Sequence, residues 1–350
     1  MSQGLLRVSV ESEAPLFRHG ILSIAAWWHC DAACRHCFIP ARLRHNDKAP
    51  SKRIKTSLAK LPEDIDALSF TGGEPMLHPQ RLLELVDVAY SQARASAVVT
   101  NGLWFMKRKR PLDLLKRLFE HGLHGLSVSI DSYHNPEVPD EKLVELLWAA
   151  RGLGMAINIR GAGRKARLRA EKIKKSGVLE GQENGEHFFG LENVGTAARL
   201  PRDYTQKTER LKTCLAATQP LIWPDGKVLA CCSAHMFRIK NDVLEIGHLK
   251  KEPLDRILDR SRRSYLLAAL AGGGPIWLRE ILGRKTTPRA IGDRTRCELC
   301  LEILNNPADV AELRRRIAES KELRKEIAGR MMVWEHCYRP ELLPQFQSGV

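Results

Sequence analysis

Nowhere does this chain offer the roughly 18 consecutive apolar residues that a membrane-spanning helix requires; its most apolar runs, such as ILSIAAWW at 21–28, stop far short of that. The N-terminus, MSQGLLRVSVESEAPLFRHG, mixes acids and bases before any apolar run, so the apolar core and small-residue cleavage site of a secretory signal are missing. Both absences predict a cytoplasmic protein with no membrane association. Aromatic residues make up only 6% of the chain, too few to interleave a basic stripe as nucleic-acid binders do. Low-complexity tracts are lacking too, as are internal repeats other than an alternation of strands and helices. Acid is in deficit: 41 Asp and Glu against 56 Lys and Arg leave a net charge of +15, which predicts an anionic partner.

What the chain does have is an ordinary core, with 43% hydrophobic and 28% charged residues. Its 350 residues suffice for one large domain and a smaller one. The basic excess is sharpest in RGAGRKARLRAEKIKK (160–175), eight bases against the single acid Glu171. Such a run serves a solvated helix face as readily as an anion-binding one.

Short β-branched runs at 21–28, 67–73, 97–102, 125–131 and 155–160 read as buried parallel strands bounded by Gly, Asn, Asp or charge. Helical spacing fills PQRLLELVDVAYSQA, PLDLLKRLFEHG and DEKLVELLWAARGLG between them. HFFGLE (187–192) supplies a sixth strand, after which the rhythm stops. Repeated βα predicts an α/β fold, a partial (β/α)6 TIM-like barrel. The boundary is placed at the polar stretch 201–212. It gives a barrel over 1–200, a smaller C-terminal auxiliary domain over 201–306 and a helical tail over 307–350. In the second half LIWPDGKVLACC (221–232) reads as a hairpin, AGGGP (271–275) as a loop, and 308–330 as one charged amphipathic helix.

Nine cysteines in a reducing compartment favour metal ligation over disulfides. Cys30, Cys34 and Cys37 share one loop after the first strand, with no further cysteine before Cys214. An iron–sulfur cubane wants four thiolates, so three leave one iron open to a ligand. A zinc site completed by His29 or His36 is the alternative. The other chemically suggestive residues also follow strands: GGEP (72–75), TNG (100–102), DSYH (131–134) and Arg160. Loops at the C-terminal ends of barrel strands are where such folds collect chemistry.

The C-x3-C-x2-C spacing, with aromatic His36 before the last cysteine, resembles the signature of radical S-adenosylmethionine (SAM) enzymes. The resemblance spans roughly residues 20–192 and implies a [4Fe-4S] cluster on Cys30, Cys34 and Cys37. It also implies reductive cleavage of SAM to a 5′-deoxyadenosyl radical that abstracts hydrogen from substrate. GGEP resembles the family's glycine-rich loop, so Gly72, Gly73, Glu74 and Pro75 would meet the SAM amino group, although such a tetrapeptide alone is only a turn. Asn101, Ser129 and Asp131 would lie near the carboxylate and ribose, and each also suits a strand-end cap. His36 and Phe38 would lie near adenine, and Arg160 near the carboxylate; Phe38 suits the core equally.

Cys214, Cys231, Cys297 and Cys300, in a C-x11-G-x4-C segment followed by a distant CxxC, resemble the shorter "twitch" form of the SPASM-type auxiliary extension, and imply one auxiliary Fe–S cluster. Zinc would fit the same ligands. Cys232 and Cys337 remain: each is either a small hydrophobe or a hydrogen-atom donor to a substrate radical. His134, beside Tyr133, is a candidate for proton transfer or a mere hydrogen-bonding group.

The expected enzyme draws electrons from a low-potential flavodoxin or ferredoxin and acts on an anionic substrate, foremost a ribosomal precursor peptide. Small sugars or amino-cyclitols are the alternative, kept open because only about twenty residues precede the first strand, leaving no room there for a peptide-recognition domain. A zinc-stabilised nucleic-acid binder is the remote rival; it leaves GGEP and the βα rhythm unexplained.

Overall fold

The computed structural model describes residues 11–45, 52–131, 133–134, 138–182, 186–189, 194, 213–292 and 294–337, apart from the side chains of Arg164, Phe189, His336 and Cys337. All five β-branched runs become strands: β1 (Gly20–Trp27), β2 (Ile65–Gly72), β3 (Ala95–Thr100), β4 (Gly125–Ser129) and β5 (Ala156–Ala162). The sixth, β6 (Glu186–Phe189), covers the start of the expected run, and residues 190–192 lie outside the described residues. Strands β2 to β6 pair in parallel. One row of the sheet reads Phe70, Val98, Leu126 and Ile157 across successive strands, all buried.

From β6 to β1 each strand lies beside its neighbour in the chain. A doubly wound sheet reverses its order at a switch point. An order that never reverses is what helices wound in one sense produce, and the α/β fold with a barrel-like parallel sheet follows. The crossovers are the helices Pro79–Tyr90, Pro111–Glu120 and Asp140–Gly152, as the periodicity predicts. The basic run forms the helix Gly163–Lys174, and it is not uniformly solvated. Arg169 turns inward to donate to Asp140 Oδ1 (2.5 Å) and to the carbonyls of Ile130 (3.0 Å) and Val138.

Chain contacts divide the molecule into two compact units. One is built on Ile21–Tyr204 and Ile222–Gly226, the other on Met1–Gly20, Thr205–Leu221 and Lys227–Arg339. Beyond the parallel strands, β7 (Leu221–Ile222) and β8 (Lys227–Leu229) flank the Pro-Asp-Gly turn. β8 pairs antiparallel with β9 (Glu245–His248). Helices follow at Leu254–Arg263, Tyr265–Ile281, Arg296–Leu304, Pro307–Glu319 and Lys321–Cys337.

Two expectations are corrected here. AGGGP is not a loop: it lies inside the helix Tyr265–Ile281, which is kinked at Gly274 (φ 68°, ψ −175°). Its flanks are so apolar that burial overrides the breaker residues. The stretch 308–330 is two helices, because Ser320 (φ −107°, ψ 110°) leaves the helical region between them. Among the described residues no helix is long and apolar enough to cross a membrane.

Candidate active site

The loop after β1 carries the first three thiols. Cys30 donates its N–H to Arg44 O (2.9 Å), and Cys37 N–H reaches back to Cys34 O (3.3 Å). Burial pushes the Cys30 thiol up to about 12, with the Glu74 carboxylate adding to it. Burial likewise raises Cys34, reinforced by Cys30 and Cys37, and raises Cys37, while Arg44 opposes the rise in both. The three sulfurs are therefore near enough to feel one another. They are free of disulfides, as is every cysteine whose side chain is described.

The glycine loop closes directly on this segment. Gly73 N–H donates to Trp27 O (3.0 Å) and Glu74 N–H to His29 O (2.7 Å). A Cβ on Gly73 would stand 2.0 Å from His29 O, and one on Gly72 (φ 118°) 2.4 Å from Trp27 O. Only glycine lets the two backbones approach this closely. Pro75 begins the short helical turn Pro75–Leu77. Glu74 itself points inward. Its Oε1 accepts from Thr100 Oγ1 (2.7 Å) and Met76 N–H (3.0 Å), and its Oε2 accepts from Asn101 N–H (2.7 Å). Burial nevertheless lifts its carboxyl to about 7 against those three donors. Glu74 thus ties the glycine loop to the end of β3.

Asn101 continues the network: Oδ1 accepts from Leu103 N–H (2.8 Å), and Nδ2 donates to Asp31 Oδ1 (3.3 Å) and Cys30 Sγ (3.7 Å). Lys107 Nζ holds the other oxygen of Asp31 at 2.8 Å. Trp104 was missed by sequence reasoning, and Thr100, though inside the TNG motif, was given no role of its own. Trp104 Nε1–H donates to Thr100 Oγ1 (3.0 Å), whose own proton goes to Glu74. Their adjacency in TNGLW, just after a strand, was the only signal.

A third cluster gathers at the end of β4. Asp131 is wholly buried, and its Oδ1 accepts the N–H groups of Tyr133 and His134, both at 3.0 Å. Its Oδ2 pairs with His134 Nδ1 (2.7 Å) and accepts Ala162 N–H (3.2 Å). His36 Nε2 stands 3.6 Å from Oδ1. Burial alone would raise this carboxyl, but the His134 charge and hydrogen bond, His36 and Ala162 overcome it and hold the group at about 2. The donor atoms of His36, Asp131 and His134 lie within 4.8 Å of one another. The His36 ring packs on Tyr133 (5.1 Å) and edge-on to His134 (4.3 Å), while Cys34 Sγ–H donates to His134 O (3.6 Å). Burial lowers His36 to about 4. Its Nδ1 is buried with no hydrogen-bond partner among the described residues.

Ser129 is buried and lies opposite Arg160 in the β4–β5 register. Arg160 in turn faces His187 on β6, whose pKa is lowered by burial and by that guanidinium. Phe38 is half-buried in the cysteine loop. The structure thus gathers two bonded networks on the cysteine loop: Cys30 with the glycine loop and Asn101, and Cys34 and Cys37 with His36, Asp131 and His134.

Asp131→Asn is expected to destabilise the chain by roughly 2 kcal/mol at pH 7, given 1.36 kcal/mol per unit for a carboxyl held at about 2 instead of 3.8. A depressed acid contributes above its unfolded value, so the deficit should shrink as pH falls from about 3.8 towards 2. Urea melts of both proteins at pH 7 and near pH 3 check the sign.

In the second unit burial raises Cys214, Cys231 and Cys300. Cys231 feels Cys214 and Cys297, and Cys300 feels Cys214, Cys231 and Cys297, so four thiols converge. Cys297 and Cys300 sit in the first turns of the helix Arg296–Leu304, and Ser233 Oγ–H donates to Cys297 Sγ (3.2 Å). A capping box starts that helix: Thr295 Oγ1 accepts Glu298 N–H (3.3 Å), and Glu298 Oε2 accepts Thr295 N–H (2.8 Å). TRCE carried this signal in the sequence. Thr295→Ala should cost about 1 kcal/mol of stability, measurable by denaturant titration. Cys232 is exposed, whereas its neighbour Cys231 is buried. The Cys337 side chain lies outside the described residues.

Both thiol sets fit a bound metal centre. Thiols pushed up by burial hold their protons at neutral pH, and a cationic centre replaces those protons outright. At the first site the buried His36 Nδ1, without a hydrogen-bond partner among the described residues, is a polar group that a ligand such as SAM could satisfy.

The chain is 24% identical over 272 residues to YydG of Bacillus subtilis (strain 168), whose name assigns it to peptide biosynthesis; the match covers 72% of this chain and 81% of that protein. It is 28% identical over 148 residues to an S-adenosylmethionine-dependent nucleotide dehydratase of Selenomonas ruminantium, covering 37% of this chain and 51% of that one. Among solved structures, Streptococcus suis SuiB bound to its precursor peptide SuiA aligns over 82% of this chain and 77% of that chain, at 15% identity and a TM-score of 0.45. Residues 29–178 match the family model of the Radical SAM superfamily. That span opens one residue before Cys30 and takes in the glycine loop, Asn101 and the Asp131 cluster: the chain carries a radical SAM domain.

Proposed function

We propose that this protein is a radical SAM maturase that modifies a ribosomal precursor peptide by crosslink, thioether or epimerisation. The observation that carries the reading is the reach of the match to YydG, which at 272 residues runs well beyond the matched radical SAM span. When bound, the cluster and SAM supply a 5′-deoxyadenosyl radical that takes a hydrogen atom from substrate.

Cys30, Cys34 and Cys37 hold the [4Fe-4S] centre, and electrons reach it from a flavodoxin or ferredoxin. Gly72, Gly73, Glu74 and Pro75 form the loop that meets the SAM amino group. Asn101, Ser129, Asp131 and Arg160 orient the carboxylate and ribose, and His36 and Phe38 flank the adenine. Support for His36 comes from its unpartnered Nδ1. His134, its Nδ1 paired with Asp131 at 2.7 Å, keeps Nε2 available to move a proton at the substrate. Residues 201–306 make up the auxiliary domain, with Cys214, Cys231, Cys297 and Cys300 around a second Fe–S centre, and residues 307–350 the helical tail, of which 338–350 lie outside the described residues. Cys232, exposed beside that centre, or Cys337 returns a hydrogen atom if the reaction is an epimerisation.

The test is anaerobic turnover with SAM, reduced flavodoxin and synthetic peptides encoded beside the gene. 5′-Deoxyadenosine should form together with a modified peptide. Formation only with nucleotides or sugars would transfer the reading to small molecules, which the match to the nucleotide dehydratase favours. In deuterated water, Cys232→Ala or Cys337→Ala should abolish inversion at the α-carbon while leaving SAM cleavage intact.

A further inference from the structure

Pro275 has no N–H to give, so within the helix Tyr265–Ile281 the carbonyl four residues earlier, Ala271 O, loses its intrahelical donor. Gly274 departs from helical dihedrals at the same point (φ 68°, ψ −175°). Ala271, Gly273, Gly274 and Pro275 are all buried, where an unpaired carbonyl is costly and must find a donor inside the protein. It finds one outside its own helix: Cys214 N–H donates to Ala271 O at 3.0 Å. The break is packed in place, since a Cβ on Gly273 would lie 2.3 Å from the Trp277 ring.

Cys214 opens the short helical turn Leu215–Thr218; burial raises its thiol, and the Arg296 guanidinium and the Ala217 and Ala216 N–H groups oppose that rise. The backbone of the residue is thus anchored to the helix break while its sulfur faces donors suited to a negative charge.

We propose that the Gly-Gly-Gly-Pro break at 272–275 is a positioning device for Cys214, releasing one buried carbonyl so that it can fix this thiol within the four-sulfur set. The inference rests on Cys214 being a metal ligand. It adds that the kink, which touches no metal, sets how tightly the site closes.

The probe is Co2+ titrated into the full-length metal-free protein carrying Cys30→Ala, Cys34→Ala and Cys37→Ala, so that only the second thiol set reports through its thiolate charge-transfer absorption. Restoring helix continuity with Gly274→Ala and Pro275→Ala should weaken Co2+ binding about tenfold, the order expected for one lost backbone hydrogen bond. The variant's spectrum should lose thiolate intensity, and the Cys214 amide should lose protection from hydrogen exchange. Unchanged affinity and spectrum in a folded variant, with Cys214→Ala weakened in the same background, would overturn the positioning role alone. If Cys214→Ala itself binds Co2+ normally, the ligand assignment falls and the inference with it. Should the helix variants not fold, hydrogen exchange on the wild-type protein decides: slow exchange at the Cys214 amide supports the tether, and exchange at the rate of an open loop overturns it.

Discussion

Cys34→Ala is expected to reduce 5′-deoxyadenosine formation by roughly three orders of magnitude or more, as happens when one member of a group that acts as a unit is removed. Of the three cysteines in the loop only Cys34 is a buried residue, and its thiol is flanked electrostatically by Cys30 and Cys37. No other cysteine occurs between Cys37 and Cys214 to replace it. Its loss leaves two thiols for a centre that already lacks a fourth. Iron content should separate the two sites: the variant should retain the iron held by the second thiol set and lose that of the first. Iron unchanged from wild type would remove Cys34 from the ligand set.

Gly73→Ala should cost about 3 kcal/mol or more of stability, placing it among the severe single substitutions. The added Cβ would stand 2.0 Å from His29 O and 2.5 Å from Trp28 O. Both obstacles are backbone, so no side chain can swing away to make room. Relief requires parting the glycine loop from the cysteine loop, which breaks the bonds from Gly73 N–H to Trp27 O and from Glu74 N–H to His29 O. Gly152→Ala, which meets nothing within 4 Å at the end of the helix Asp140–Gly152, is the control and should be neutral or slightly stabilising. Guanidinium melts of the two variants check the contrast.

The strands were legible because a parallel sheet buried on both faces demands continuous apolar runs, and Ile24, Phe70, Val98 and Val128 sit in such runs. The cysteine, glycine and TNG motifs were legible because each follows a strand. Side-chain direction was not. Glu74 reads in GGEP as part of a SAM-facing loop, yet two of its donors come from Thr100 and Asn101, 26 and 27 residues away in sequence. The inward turn of Arg169 was hidden for the same reason, since its partner Asp140 lies on a different helix. AGGGP misled because Gly and Pro weigh heavily in local propensity, whereas the helix around them is held by packing that no local window contains.

The donors running from the Trp104 indole through the Thr100 hydroxyl to the Glu74 carboxylate have an optical consequence. Indole emission depends on the field around its ring, and Trp104 is sealed from solvent while bonded, one hydroxyl removed, to the loop that closes on the cysteines. Fluorescence of the wild type minus that of Trp104→Phe therefore isolates a built-in reporter, whose colour follows the charge state of a carboxylate that no external dye can reach.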